Sequence, residues 1–417
     1  YDFDNTKLDN GNDARDDWHL TQGGFRMDYY PSDKNTFTLQ GEIYGGVEDD
    51  TLETTVNGQH IIGRWTHSYS TTSGLVLQSY LDRTWREISN NPFTDELITL
   101  DLDLQYSFAL GESNQLLAGI GIRTQDDQTT STNNRFDPQN KTLNLLSGFI
   151  QDQISLVPDQ FTLTIGSKFL YNNYTEFEIQ PSARLAWTPN ETHTLWAAAS
   201  RAVRTPSRLD VDLTSFQITE HPDFQSEEVI AYELGYRMLP FNKVSFSVAA
   251  FYNQYDDLRT LHMTTNPDAF YFGNDLKANT WGYELSSTLV ATRWLRLRCG
   301  WTFLKKDFEV TGNNVLTGTE RLEGIDPKHQ ILIQSIMDIS NRFQVDVVSR
   351  YIGELPEAPI TNTPMVPGYL TFNARIAYEF NQITFILAGQ NLAEPDHIEF
   401  GTQRIPRSIY GKIEVRL

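Results

Sequence analysis

The stretch ELITLDLDLQYSFAL, residues 96–110, decides the fold. Ile98, Leu100, Leu102, Leu104, Tyr106 and Phe108 share one parity; Thr99, Asp101, Asp103, Gln105 and Ser107 share the other. Successive strand side chains point to opposite faces, so this is a strand with one apolar and one polar face. A helix would scatter both sets around its circumference and leave carboxylates unpaired among leucines. One such strand would also suit a soluble sandwich, so the fold follows from repetition.

The repetition runs through the chain. Val244, Phe246, Val248, Ala250 and Tyr252 oppose Ser245, Ser247 and Asn253; Phe343, Val345, Val347 and Tyr351 oppose Gln344, Asp346 and Arg350. Phe372, Ala374, Ile376, Tyr378 and Phe380 oppose Thr371, Asn373, Arg375 and Glu379. Charges on the second face need water or a polar lumen, not a packed core. Tyr29, Tyr30, Tyr69, Trp85, Trp187, Trp281, Trp294 and Tyr369 gather near strand ends, where amphipathic rings sit at headgroup level.

Short links alternate with longer polar ones. The short links are PSDK (31–34), YSTTSG (69–74), GESN (111–114), VPDQ (157–160), PNET (189–192), PFNK (240–243), ATR (291–293), SNR (340–342) and FNQ (380–382). The longer ones are 46–60, 86–95, 126–142, 173–178, 202–227, 256–278, 306–326, 353–368 and 391–404. Short turns on one side and long loops on the other are the plan of a transmembrane antiparallel β-barrel, with periplasmic turns and extracellular loops. No apolar run approaches the roughly 18–20 residues of a transmembrane helix, whereas barrel strands cross with about 9–11.

The pattern predicts about nineteen strands, with the first and last both running down toward the short turns. Bacterial single-chain barrels have even strand numbers, and direct closure here would pair two parallel strands. Three further strands would make 22 and restore antiparallel closure. The expectation is a partial barrel over 1–417, with residues 1–17 as the end of an extracellular loop and the first strands ahead of them.

Composition narrows the function classes. The 417-residue chain carries a formal net charge of -21, which argues against nucleic acid as a partner. Cys299 is the single cysteine, so the chain holds no internal disulfide. No GxSxG, HExxH, Walker or CxxC pattern occurs, and no motif asks for a cofactor. A barrel enzyme would need His with Asp or Ser at one rim; a passive porin would bring a complete even-stranded barrel and no plug. Both stand as alternatives to a receptor.

Several stretches together resemble the C-terminal part of a TonB-dependent outer-membrane receptor of the ferric-siderophore or metal-complex type. They are FIQDQISL (149–156), IQPSARLAW (179–187), LWAAASRAVRTPSRLD (195–210), SEEVIAYELGYR (226–237), AAFYNQYDDLRTL (249–261), DPKHQ (326–330), VPGYLTFNARIAY (366–378), GQNLAEPDH (389–397) and IPRSIYGKIEVRL (405–417). The resemblance implies a 22-stranded barrel with an N-terminal plug, energised by TonB through a box ahead of the plug. Neither plug nor box lies within these residues, and the chain ends in Leu417 where such barrels tend to end in Phe. It also implies integral location in a Gram-negative outer membrane, among lipopolysaccharide and lipid, and a scarce metal chelate or similar small molecule as ligand.

Candidate contacts lie in the two longest central links. In SRAVRTPSR, Arg201, Arg204 and Arg208 stand where they either hold an anionic ligand or pair with lumen carboxylates, and the second is the plainer reading. Links 202–227 and 256–278 add Phe216, His221, His262, Met263, Tyr271 and Phe272. Imidazole with thioether suits a soft metal such as copper, and the rings suit stacking on an aromatic chelator; ordinary loop packing is the alternative. The acidic DNGND (9–13) with Asp16 and Asp17 is loosely spaced like a calcium loop but lacks its later glutamate and fixed glycine, and reads better as solvated. Whether any metal binds the chain itself is left open.

Overall fold

The computed structural model describes residues 2–416 apart from 6, 9–10, 14, 50–52, 90–92, 132–134, 216, 220, 222, 242, 265–268, 322–323, 358–362, 395 and 402. Among these residues the chain forms one 20-stranded antiparallel sheet, whose shortest member is Asp2–Phe3. The other strands follow chain order from Asp17–Ser32 to Ser408–Val415, each paired with its sequence neighbours. Hairpin follows hairpin because each inner link is short enough to hold only antiparallel partners. Gly111, Asp159 and Asn381 supply the left-handed backbone (φ 71°, 60° and 56°) that three of these turns require.

The alternation read from 96–110 sets the two faces. In Phe93–Leu110, Leu100 and Leu102 are 53% and 45% exposed, whereas Thr99 is 5% exposed. Leu81 lies opposite Leu100 and is exposed with it. On the other face Arg123 Nε donates to Asp101 at 2.9 Å, and Arg375 Nη1 to Asp346 at 2.8 Å. The sheet is therefore apolar outside and polar inside, the reverse of a water-soluble fold. Only a bilayer makes that outside face favourable.

Aromatic pairs mark the inner edge of the apolar band. Phe37 and Trp65 stack across strands at 6.1 Å, as do Phe161 and Trp187 at 5.7 Å. The outer edge lies where charge first appears on the outward parity: Arg83 pairs with Glu96 at 2.6 Å, and Lys305 sits 5.9 Å from the Trp281 ring. A long side chain at that height keeps its charge in the headgroups while its stem lies on the wall.

The sheet is not closed. Among the described residues Asp17–Ser32 pairs with Asn35–Asp49 on one side and only with Asp2–Phe3 on the other; Ser408–Val415 pairs with Ile383–Gln390. Lys7–Leu8 joins Gln403–Pro406, which in turn pairs with Asp396–Ile398. The small cluster Ile352, Leu355, Val366 and Tyr369 packs nearby against Ile325 and Ile398.

The outer links differ from the sequence reading. Much of what reads as loop continues as strand: Val244–Met263 and Phe270–Val290 run for 20 and 21 residues, twice what a bilayer crossing needs. Stretches 46–60, 86–95 and 173–178 are likewise largely strand, which runs to Asp49, Ile88 and Asn172 and resumes at Thr54, Phe93 and Glu176. Polar residues on both faces look like loop in sequence, but above a membrane both faces of a strand meet water. The long outer links that remain are 205–226, 311–328, 353–368 and 391–407.

Candidate functional site at the outer rim

The site is built on the extended hairpin and the segment that crosses it. In the hairpin Thr260 lies opposite Gly273, Leu261 opposite Phe272, His262 opposite Tyr271 and Met263 opposite Phe270. Register shifts between Tyr255 and Thr260, with Asp257 left-handed at φ 55°, twist this upper half away from the wall below it. His262 and Met263 thus end a strand; they do not lie in a loop.

Segment 205–226 folds over the hairpin. Pro206 closes the strand His193–Arg204, and Ser207 starts the one-turn helix Arg208–Val211, its N–H and Oγ donating to Asp210 Oδ2 at 2.9 and 2.8 Å. The segment then bonds along the hairpin edge: Thr219 N–H donates to the Phe270 carbonyl at 2.8 Å, and Gln225 N–H to Asn274 Oδ1 at 2.7 Å. Phe224, 1% exposed, pins its far end.

Two side-chain assemblies hold this arrangement. The first is a three-ring stack. Tyr271 lies between His221, at 4.8 Å and 14°, and His262, at 4.9 Å and 20°. His262 is buried; its Nε2 meets Thr260 Oγ1 at 2.8 Å and Asp275 Oδ2 at 3.2 Å. Gly273 makes room for it, since a Cβ there would stand 2.6 Å from the imidazole.

The second assembly is ionic. Arg204 grips Glu227 through Nε and Nη2, both at 2.7 Å, and donates from Nη1 to Asp210 at 2.9 Å. Arg259 reaches the other oxygen of Asp210 at 3.2 Å and lies 5.3 Å above the Phe272 ring. The Asp210 carboxylate has no exposed surface. Burial alone would raise its pKa, but the hydrogen bonds from Arg204 and Ser207 outweigh it and hold the group below its ordinary value. Beside it, Arg208 bonds Asp212 and Asp127 at 3.1 and 3.2 Å, while Lys141 and Tyr174 also donate to Asp212, both at 2.8 Å. Burial, then the hydrogen bond to Asp212, raises the Tyr174 phenol. The network ties 126–142, 173–178, 205–212 and the hairpin into one rim.

The structure brings Arg204, His221, His262, Tyr271 and Phe272 into this single assembly, and Phe216 lies outside the described residues. Arg204 is a member of the ion-pair network, as the plainer reading of SRAVRTPSR had it. Met263, 39% exposed at the hairpin end, is the most open of the named side chains. Sequence reasoning missed Asp210, Glu227 and Arg259. Glu227 carried a signal, because the strand pairing that follows from one connected loop sets it opposite Arg204. The calcium-like reading of DNGND falls partly outside the described residues; among those described, no group of three or more His, Cys, Asp or Glu is placed to hold a metal.

An outward-apolar antiparallel wall carrying an ordered polar rim defines a transmembrane barrel of the receptor class. The family model described as TonB dependent receptor-like, beta-barrel matches residues 1–392, and the chain belongs to that family. Solved structures agree on the fold. The siderophore receptor PirA from Acinetobacter baumannii superposes with a TM-score of 0.78 at 15% identity, over 96% of this chain and 71% of its own. The FrpB iron transporter from Neisseria meningitidis (F3-3 variant) gives 0.81 at 13% identity, over 100% and 75%. The copper transporter OprC gives 0.80 at 11% identity, over 99% and 76%. The family and these relatives are receptors and transporters.

Proposed function

We propose that this chain is the wall of an outer-membrane receptor that takes up a scarce metal chelate, most simply a ferric siderophore, with energy relayed by TonB. It catalyses no reaction of its own. Strands ahead of Asp17–Ser32 complete the wall, and a plug preceding them carries the TonB contact; this reading is supported by the edges left open among the described residues, on Asp17–Ser32 beyond its short pairing with Asp2–Phe3 and on Ser408–Val415. Lipopolysaccharide and lipid surround the wall, and nucleic acid is not a partner.

The observation that carries the proposal is the ordered rim above the bilayer. An extended hairpin held by the Tyr271 ring stack and a buried carboxylate presents Met263 and Phe272 at a fixed height, as capture of a dilute ligand requires. His221, His262, Phe216 and Arg204 belong to the same binding region, His262 and Arg204 by holding it in shape. Relatives described for siderophore, iron and copper share the scaffold, and function resides in such sites rather than in the fold.

The test is uptake of ⁵⁵Fe-labelled siderophores by cells bearing the full-length receptor, with and without TonB. Accumulation should need TonB and should fall about tenfold when Met263 and Phe272 are replaced together by alanine. Uptake that ignores TonB would support a porin instead. Unchanged affinity in the folded double variant would move the ligand contacts off this hairpin.

A further inference from the structure

The short turns at the inner rim are charged unevenly. Along the first half of the wall they carry Asp33, Lys34, Glu112, Asp159 and Glu191. Along the second half, PFNK, ATR, SNR and FNQ carry Lys243, Arg293 and Arg342 and no carboxylate. In a chain of net charge -21, this is an arc of cations alone. The turns are lateral neighbours: Val290 N–H donates to the Lys243 carbonyl, Asp338 N–H to that of Trp294, and Glu379 N–H to that of Arg342.

Lys243, Arg293 and Arg342 are exposed, and among the described residues their side chains make no ion pair or hydrogen bond. Two carboxylates at the adjoining strand ends have partners of their own, Asp338 with Gln344 and Glu379 with Arg416. Immediately above the arc, the outward face is apolar and open: Phe241 is 72% exposed and Ile339 54%. Cations directly beneath an apolar band match the headgroup level of a bilayer. Their charge complements phosphate there, at roughly 1 kcal/mol per Lys or Arg, about fivefold in relative affinity.

We propose that this arc binds the phosphates of anionic phospholipids in the inner leaflet, so that one half of the barrel gathers an anionic lipid shell and the acidic half does not. The inference rests on the transmembrane reading of the wall.

The test places the full-length receptor in phosphatidylcholine bilayers containing brominated phosphatidylglycerol or brominated phosphatidylcholine. The probe is an indole placed on the outward face, its signal the difference between Ile339→Trp and wild type. Brominated phosphatidylglycerol should quench it with an apparent association constant about fivefold above that of phosphatidylcholine, and the preference should fade in high salt. Lys243→Gln, Arg293→Gln and Arg342→Gln together should abolish the preference; Arg298→Gln, on the concave parity of the same strand, should leave it. Equal quenching of the Ile339→Trp signal by the two lipids at low salt, or a preference surviving the triple change, would overturn the proposal. Quenching by neither lipid would remove the transmembrane reading and this proposal with it. The salt arm needs no substitution in the arc itself, so it stands even where the triple change impairs folding.

Discussion

The wall at Phe93–Leu110 and the hairpin above Tyr252 and Trp281 are the same antiparallel structure held together by different means. In the wall, one face is apolar and meets lipid; Leu100 and Leu102 are half exposed and need no partner from the protein. In the hairpin one face meets water and the other is buried within the rim, with Thr260, His262 and Leu276 at 1%, 2% and 0% exposure; lipid contributes nothing, and long polar strands by themselves are only marginally stable. Here the stabilisation comes from specific partners: the Tyr271 stack and the carboxylate of Asp210 between two guanidinium groups. The comparison teaches that wall positions tolerate any apolar side chain, while rim positions depend on particular atoms.

The largest break should come at Asp210. Replacing Asp210 with alanine leaves Arg204 and Arg259 facing each other without their shared anion and should cost about 3 kcal/mol, at the low end for a broken buried pair because Arg204 keeps Glu227. Amide exchange across 205–226 should accelerate roughly a hundredfold, with the wall unaffected. The same carboxylate gives the rim an acid limit. Its pKa is lowered on folding, so its stabilisation is complete above the ordinary carboxylate value, near 3.8, and is lost as pH falls through the lower folded value. Pepsin cleavage within 205–226 should therefore rise steeply below about pH 3.8 in wild type, and be present already at pH 4 in Asp210→Asn. Equal cleavage in both proteins at pH 4 would show that Asp210 does not hold the segment.

The wall is probed by a paired change. Leu102→Arg, mid-band and outward, should cost roughly 2–4 kcal/mol in urea unfolding from lipid vesicles, whereas Asp103→Asn, on the concave face, should cost far less. Similar costs would mean that the two faces are assigned the wrong way round.

The smallest effect sharpens the ring stack. Gly273→Ala puts a methyl group 2.6 Å from the His262 imidazole and forces the ring off Tyr271. The expected cost is about 1–3 kcal/mol, confined to the hairpin tip. Protection of the 258–263 amides reports it; unchanged protection would show that the stack is incidental.

Strand number, parity and the inside-out character of the wall are legible in the residues alone, because period-two alternation with charges on one face admits few other folds. The turn charges that set the cationic arc are legible too, since short links at fixed intervals fall on one rim. The family could be recognised from its spaced stretches. The rim could not be read the same way. Stretch 256–278 looks like loop because strands surrounded by water lose the alternation that reveals them, and nothing in the order of residues sets Asp210 between Arg204 and Arg259, 49 positions along the chain from the latter. His262 reads as a soft donor in sequence and is a buried packing ring in the folded protein. Alternation is a local property that the sequence carries by itself; partners brought together by a folded-over segment exist only once the tertiary structure has brought the backbones together.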